Sequence, residues 1–101
     1  MKTVTLLNAV IVTGVGSNFT PVIGANRAFQ AIVSGTGAVT ATVNVEVSLD
    51  GVNFLIQSTI ILSGTTSATD GFASFAQWQY VRGNVTAISG TGAAVTLYMS
   101  V

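Results

Sequence analysis

Histidine and cysteine are both missing from this chain, and their absence excludes most of the usual chemistry. Without cysteine there is no disulfide, no thiolate nucleophile and no soft metal ligand. Without histidine the commonest metal ligand and general base is gone. Charge is nearly as scarce: Lys2, Arg27 and Arg82 balance Glu46, Asp50 and Asp70, whereas an ordinary domain is roughly one-quarter charged. Three scattered cations cannot form the basic patch that displaces counterions from phosphate, so no nucleic-acid partner is expected. No stretch approaches the roughly 20 unbroken apolar residues of a membrane helix, so no membrane partner is expected either. The opening "MKTVTLLNAVIV" starts like a leader, with Lys2 before an apolar run. That run alternates with Thr and Asn, however, and no small-residue cleavage site of the usual kind follows.

Apolar residues are abundant, at half of the 101 positions. That length suits one domain, residues 1–101, with one real core, and the hydrophobicity is too high for disorder. The exposed side must be built from Thr, Ser, Asn, Gln and Gly. A surface without net charge resists association weakly, which fits a protein that works inside an assembly.

Period-two alternation dominates the order of residues. Val39, Ala41, Val43, Val45, Val47 and Leu49 share one parity, while Thr40, Thr42, Asn44, Glu46 and Ser48 share the other. This is the pattern of an antiparallel strand with one wet face. The same reading holds for Phe29, Ala31 and Val33, and for Val95, Leu97, Met99 and Val101. In 78–88, Trp78, Tyr80, Arg82, Asn84 and Thr86 stand opposite Val81, Gly83, Val85 and Ala87. Asp50–Gly51 has the signature of a tight hairpin joining 38–49 to 52–62. Asp70–Gly71, after the polar "SGTTSAT", is expected to open a short strand over 71–76. "TGVGSNFTP" and the single proline, Pro21, mark a loop or edge segment. No segment sustains a 3.6-residue period. The expected fold is all-β, an antiparallel β-sandwich of jelly-roll or Ig-like type with about seven to nine strands.

"SGTG" occurs twice, at 34–37 and 89–92. A dinucleotide fingerprint would need a third glycine where Thr40 and Val95 stand, and a P-loop would need a lysine. Both stretches precede strand-like sequence, so they read as hairpin corners and not as phosphate cradles. Catalytic candidates fail in a similar way. Glu46 lies on the polar face of a strand, and Asp50 and Asp70 precede glycine in turns, which does not suit paired carboxylates or a calcium site. The serines have no base to activate them. No catalytic residue, metal ligand or cofactor is expected.

Two groups remain as contact candidates. Val4, Leu6, Leu7 and Val10 lie in an N-terminal run that is apolar on both parities, as in a strand buried on both sides. Residues 1–13 are therefore a core strand or one that contacts another subunit or a capsid. Phe72, Phe75, Trp78 and Tyr80 concentrate four aromatics within nine residues. Such a concentration suits a sugar-stacking platform, a protein-contact patch or plain sandwich core. Trp78 and Tyr80 share their parity with Arg82, which favours a contact patch for these three.

Over residues 27–101 the sequence resembles a recurrent small virion module of tailed bacteriophages. The matching order is a Gly-Thr-Gly turn before an alternating strand, then Ser48, Asp50, Gly51, Asn53 and Phe54, then Tyr80, Val81 and Arg82, then Gly90 and Gly92. Phe54 stands where tryptophan is more common. The "S-x-D-G-x-N-aromatic" element also occurs in carbohydrate-binding and discoidin-like sandwiches. The resemblance implies a non-enzymatic capsid decoration (cement) protein. It would be made in the bacterial cytoplasm, lie on the outer capsid, commonly as a homotrimer, and staple neighbouring major capsid proteins. The alternative is a carbohydrate-binding or host-recognition module of a fibre or baseplate, with a glycan as partner.

Overall fold

The computed structural model describes residues 2–21, 27–75 and 78–100, and every regular element in it is a strand. These are β1 (Thr3–Val10), β2 (Gly14–Val15), β3 (Arg27–Ser48), β4 (Leu55–Ser74) and β5 (Tyr80–Ser100). They form one antiparallel sheet in the order β1-β5-β3-β4, and β2 also pairs with β5. β5 is therefore flanked on both sides at each of its ends. β3 lies on one side of it, while β1 covers its C-terminal half and the 14–19 segment its N-terminal half. β4 ends the sheet on the other side.

Three strands of 20 to 22 residues cannot lie straight in a body 40 × 27 × 17 Å across. At about 3.3 Å per residue, β3 alone would run roughly 70 Å. The strands instead bend at one level. β3 breaks register with β4 between Ser34 and Ala38, and with β5 between Ser34 and Thr40. The two Gly-Thr-Gly stretches meet there, with Thr36 opposite Thr91. Gly37 and Gly92 have φ of 75° and 67°, a conformation that disfavours a side chain. On β4 the bend is taken by Gly64 to Ser67, with Thr66 at φ 64°.

The bend brings the two halves of the sheet face to face. A Cβ placed on Gly83 would lie 2.7 Å from Leu7 Cδ1 and 2.8 Å from Leu97 Cδ2, although Gly83 and Leu97 are on the same strand. The edge strand closes in the same way, since Gln57 Nε2 donates to Ser74 Oγ at 2.6 Å. Between the halves lies one core. Phe29, Ala31 and Val33 come from one half of β3, and Val39 to Val47 at alternate positions from the other. Val81, Val85, Val95, Leu97 and Met99 come from β5, with Ile60 and Leu62 from β4.

The apolar parities point inward as expected wherever the alternation is clean, except at Leu49 and Ala87, which are exposed. The polar parity of β3 is not the expected wet face throughout, because Asn44, Glu46 and Ser48 are buried. Val101 lies outside the described residues. The strand count does not hold. Five strands are present among the described residues instead of seven to nine, because each long strand runs through what reads locally as a turn. The Gly-Thr-Gly stretches are bends within β3 and β5 and not hairpin corners. "SGTTSAT" and Asp70–Gly71 lie inside β4, with Asp70 opposite Ala31, so no new strand opens at 71.

Candidate functional site

The outer face of one half of the sheet carries a connected polar cluster. β3 and β5 pair Glu46 with Arg82 and Asn44 with Asn84, and β4 sets Thr59 opposite Asn44. Arg82 Nε donates to Glu46 Oε1 at 2.8 Å, and Asn84 Nδ2 donates to Glu46 Oε2 at 2.8 Å. Thr59 Oγ1 donates to Asn44 Oδ1 at 2.8 Å. Glu46 and Asn44 are each only 8% exposed, although an isolated strand pattern marks both as solvent-facing. The Arg82 guanidinium also lies 3.8 Å from the centre of the Phe54 ring. Clamped by a carboxylate at Nε and by an aromatic face, it is held in one orientation.

The hairpin beside this cluster explains the "S-x-D-G-x-N" motif. The buried Ser48 hydroxyl accepts from the Asp50 and Gly51 N–H groups and donates to Asp50 Oδ1. Asp50 also accepts from the N–H groups of Val52 and Asn53 and from Asn53 Nδ2, at 2.8 to 2.9 Å. The Ser48, Asp50 and Asn53 side chains are thus all engaged in shaping the turn, and the Tyr80 ring lies over Gly51. The Val52 N–H, followed by the Asn53 side chain and N–H and the Ser48 hydroxyl, holds the Asp50 carboxyl far below the usual carboxylate range. A depressed folded-state value stabilises the fold above the unfolded value, about pH 4, and that contribution fades as pH falls through the folded value. Asp50→Asn should therefore lower the thermal midpoint at neutral pH. The gap to the parent should narrow in unfolding curves recorded at successively lower pH below about 4. A gap that stays constant into strong acid would show that the carboxylate does not hold the turn.

Around the polar cluster lie large exposed apolar side chains: Leu49 and Val52 in the hairpin, and Ile56 and Ile61 on β4. None of these four stands out in sequence as a contact residue. Leu49 reads as core, and the others fall in a run with no clear wet face.

The sequence-derived candidates divide differently. Tyr80 and Arg82 are half-buried on this outer face, and Trp78 is half-buried and packs against the core. Phe72 turns inward and stacks on Phe29 with ring centres 4.8 Å apart, while Phe75 is exposed. The aromatic concentration is thus dispersed and forms no single shelf. Leu6 and Leu7 are buried in the chain's own core, and Val4 and Val10 pack against it. Both parities can point inward because β1 is bulged twice. Val4, Leu7 and Val10 face Met99, Leu97 and Val95, three residues of β1 for every two of β5.

The acids do not come together. Glu46 is held by Arg82 and Asn84, Asp50 by its hairpin, and Asp70 Oδ1 accepts from the Gly71 N–H. Among the described residues no group of three acids could hold a metal ion. A shallow groove of about 210 Å³ on the other half is lined by uncharged residues including Thr3, Gln30, Tyr98 and Ser100. Comparison with protein-family models, with curated proteins and with solved structures gives no match.

Proposed function

We propose that the chain is a non-enzymatic structural protein of a phage virion, a capsid decoration protein that oligomerises and bridges major capsid proteins. In this reading the doubled sheet serves as a small β-sandwich on the outer surface of the head. The observation that carries it is the outer face around Arg82. A guanidinium held by Glu46 and Phe54 sits beside Tyr80, and the exposed Leu49, Val52 and Ile56 lie nearby. Arginine and tyrosine held rigidly are residue types that anchor protein interfaces, and aliphatic groups around them exclude water from the contact. Each contact is small, and many copies on a lattice make the attachment strong.

The exposed hairpin allows a test that spares the fold. Leu49→Lys/Val52→Lys should leave the circular dichroism spectrum unchanged. It should lower the fraction that sediments with undecorated capsids by on the order of tenfold. Sedimentation equal to the parent's would rule this face out. The carbohydrate-binding alternative draws support from Tyr80 beside the Arg82 and Asn84 side chains, and weighs less because the other aromatics do not join them. Glycan-array binding together with failure to sediment with capsids would reverse the order of the two readings.

A further inference from the structure

The outer face of the other half of the sheet holds polar side chains in a track of two depressions. β5 and β3 set Tyr98 directly opposite Gln30. Both residues line the shallow groove of about 210 Å³, with Thr3 and Ser100 at its β1 side. On the far side of Gln30 lies a second depression of about 370 Å³, lined by Ile32, Ser67, Ala68 and Thr69. Gln30 belongs to both, so the track runs from β1 to β4. Hydrogen bonds orient its polar groups and decide which atoms are left to a ligand. Thr69 Oγ1 donates its proton to the Ala31 carbonyl at 2.9 Å, so towards other groups it can only accept. It accepts from Gln30 Nε2 at 3.1 Å. The Gln30 amide is thereby fixed with Oε1 left to accept. Ser100 Oγ accepts from the Ala28 N–H at 2.8 Å, which leaves its O–H to donate.

We infer that this track binds a neutral oligosaccharide, with one sugar ring against Tyr98 and its hydroxyls on Gln30 Oε1 and the Ser100 hydroxyl. The fixed acceptor and donor stand on either side of an aromatic residue. A sugar ring matches that arrangement, because its neighbouring hydroxyls both donate and accept while its C–H face packs on an aromatic ring. An apolar ligand would leave Gln30 and Ser100 unpaired on burial. An anion would meet Gln30 Oε1 with no cation among the lining residues to offset it. Two depressions in a row suit successive units of one chain. The first is smaller than the roughly 300 to 1,000 Å³ of an ordinary ligand pocket, so a single copy binds at millimolar concentrations. Because the bend sets the two halves face to face, the track lies on the opposite side of the molecule from Arg82. A chain seated on a head through the Arg82 face would present the track to solvent, and saccharide binding here does not depend on that attachment.

Amide chemical-shift mapping tests it, with maltohexaose, mannohexaose and N-acetylchitohexaose each titrated to millimolar concentration into the full chain. At least one of the three should shift the Gln30, Thr69 and Ser100 amides and saturate. Gln30 is exposed, so Gln30→Ala should stay folded and weaken binding by about threefold to tenfold. Tyr98→Ala should weaken it by on the order of tenfold, and Tyr98→Phe, which keeps the ring, should lose less. Leu49→Lys/Val52→Lys, on the opposite face, should bind like the parent. No saturable shift with any of the three sugars would overturn the inference. So would shifts confined to the surroundings of Tyr80 and Arg82, or a Gln30→Ala variant and a folded Tyr98 variant that both bind like the parent. Binding through this track by a chain that fails to sediment with capsids would support the inference and count against the decoration reading alone.

Discussion

Replacing Gly83 with valine is expected to destabilise the chain strongly. The new side chain would begin 2.7 Å from Leu7 Cδ1 and 2.8 Å from Leu97 Cδ2, well inside contact distance. Both leucines are buried, Leu97 completely, so neither can swing out to solvent. Overpacking of this kind costs about 1 to 3 kcal/mol where neighbours can adjust, and here two constrained neighbours push it to the upper end or beyond. Gly83→Ala should cost less, since only Cβ is added. Leu97→Ala alone should cost about 2 to 5 kcal/mol through the cavity it leaves. The double variant Gly83→Val/Leu97→Ala should be more stable than the sum of its parts predicts, because each change relieves the other. Urea unfolding of the four proteins gives the coupling energy. Strict additivity would mean that the two halves of β5 do not touch.

Removing residues 1–13 is the second large change. A detachable docking arm would leave a folded monomer that no longer associates. The structure predicts instead that the remainder fails to fold, because Leu6 and Leu7 are buried with Val4 and Val10 packed beside them. Burial of each leucine contributes about 1.5 to 3 kcal/mol, against a total stability of roughly 5 to 15 kcal/mol for a domain. The deletion also strips β5 of its β1 partner from Val95 to Ser100, leaving β3 on the other side alone. A cooperative thermal transition in the truncated chain would contradict this placement of the strand. The milder variant Leu7→Ala should still fold, with about 2 to 5 kcal/mol less stability.

Both predictions concern features that the sequence hides, for reasons that can be named. The inward faces of β3 and β5 are legible because alternation reports directly on a pleated strand with one buried side. A bulge destroys that signal. β1 points Val4, Leu7 and Val10 the same way at a spacing of three, which looks like a strand apolar on both faces. Gly-Thr-Gly carries the local signature of a turn, and only the pairing of Thr36 with Thr91 shows the chain bending while its ladder continues. Glu46 and Arg82 both lie on polar parities, but nothing local indicates that they share a register. Their ion pair and the Phe54 stack depend on topology, as does the closeness of Gly83 to Leu97. The Ser48–Asp50–Asn53 motif was visible, and its polar groups prove to be engaged in the hairpin itself.

The proposed function puts the doubled sheet on the outer surface of a phage head. Electron microscopy of heads assembled with and without this protein tests that claim most directly. The predicted result is extra density on the outer shell across boundaries between capsid subunits, with the face bearing Arg82, Leu49 and Val52 turned toward the shell. Heads identical in both preparations, with the protein found only on fibres or the baseplate, would contradict it.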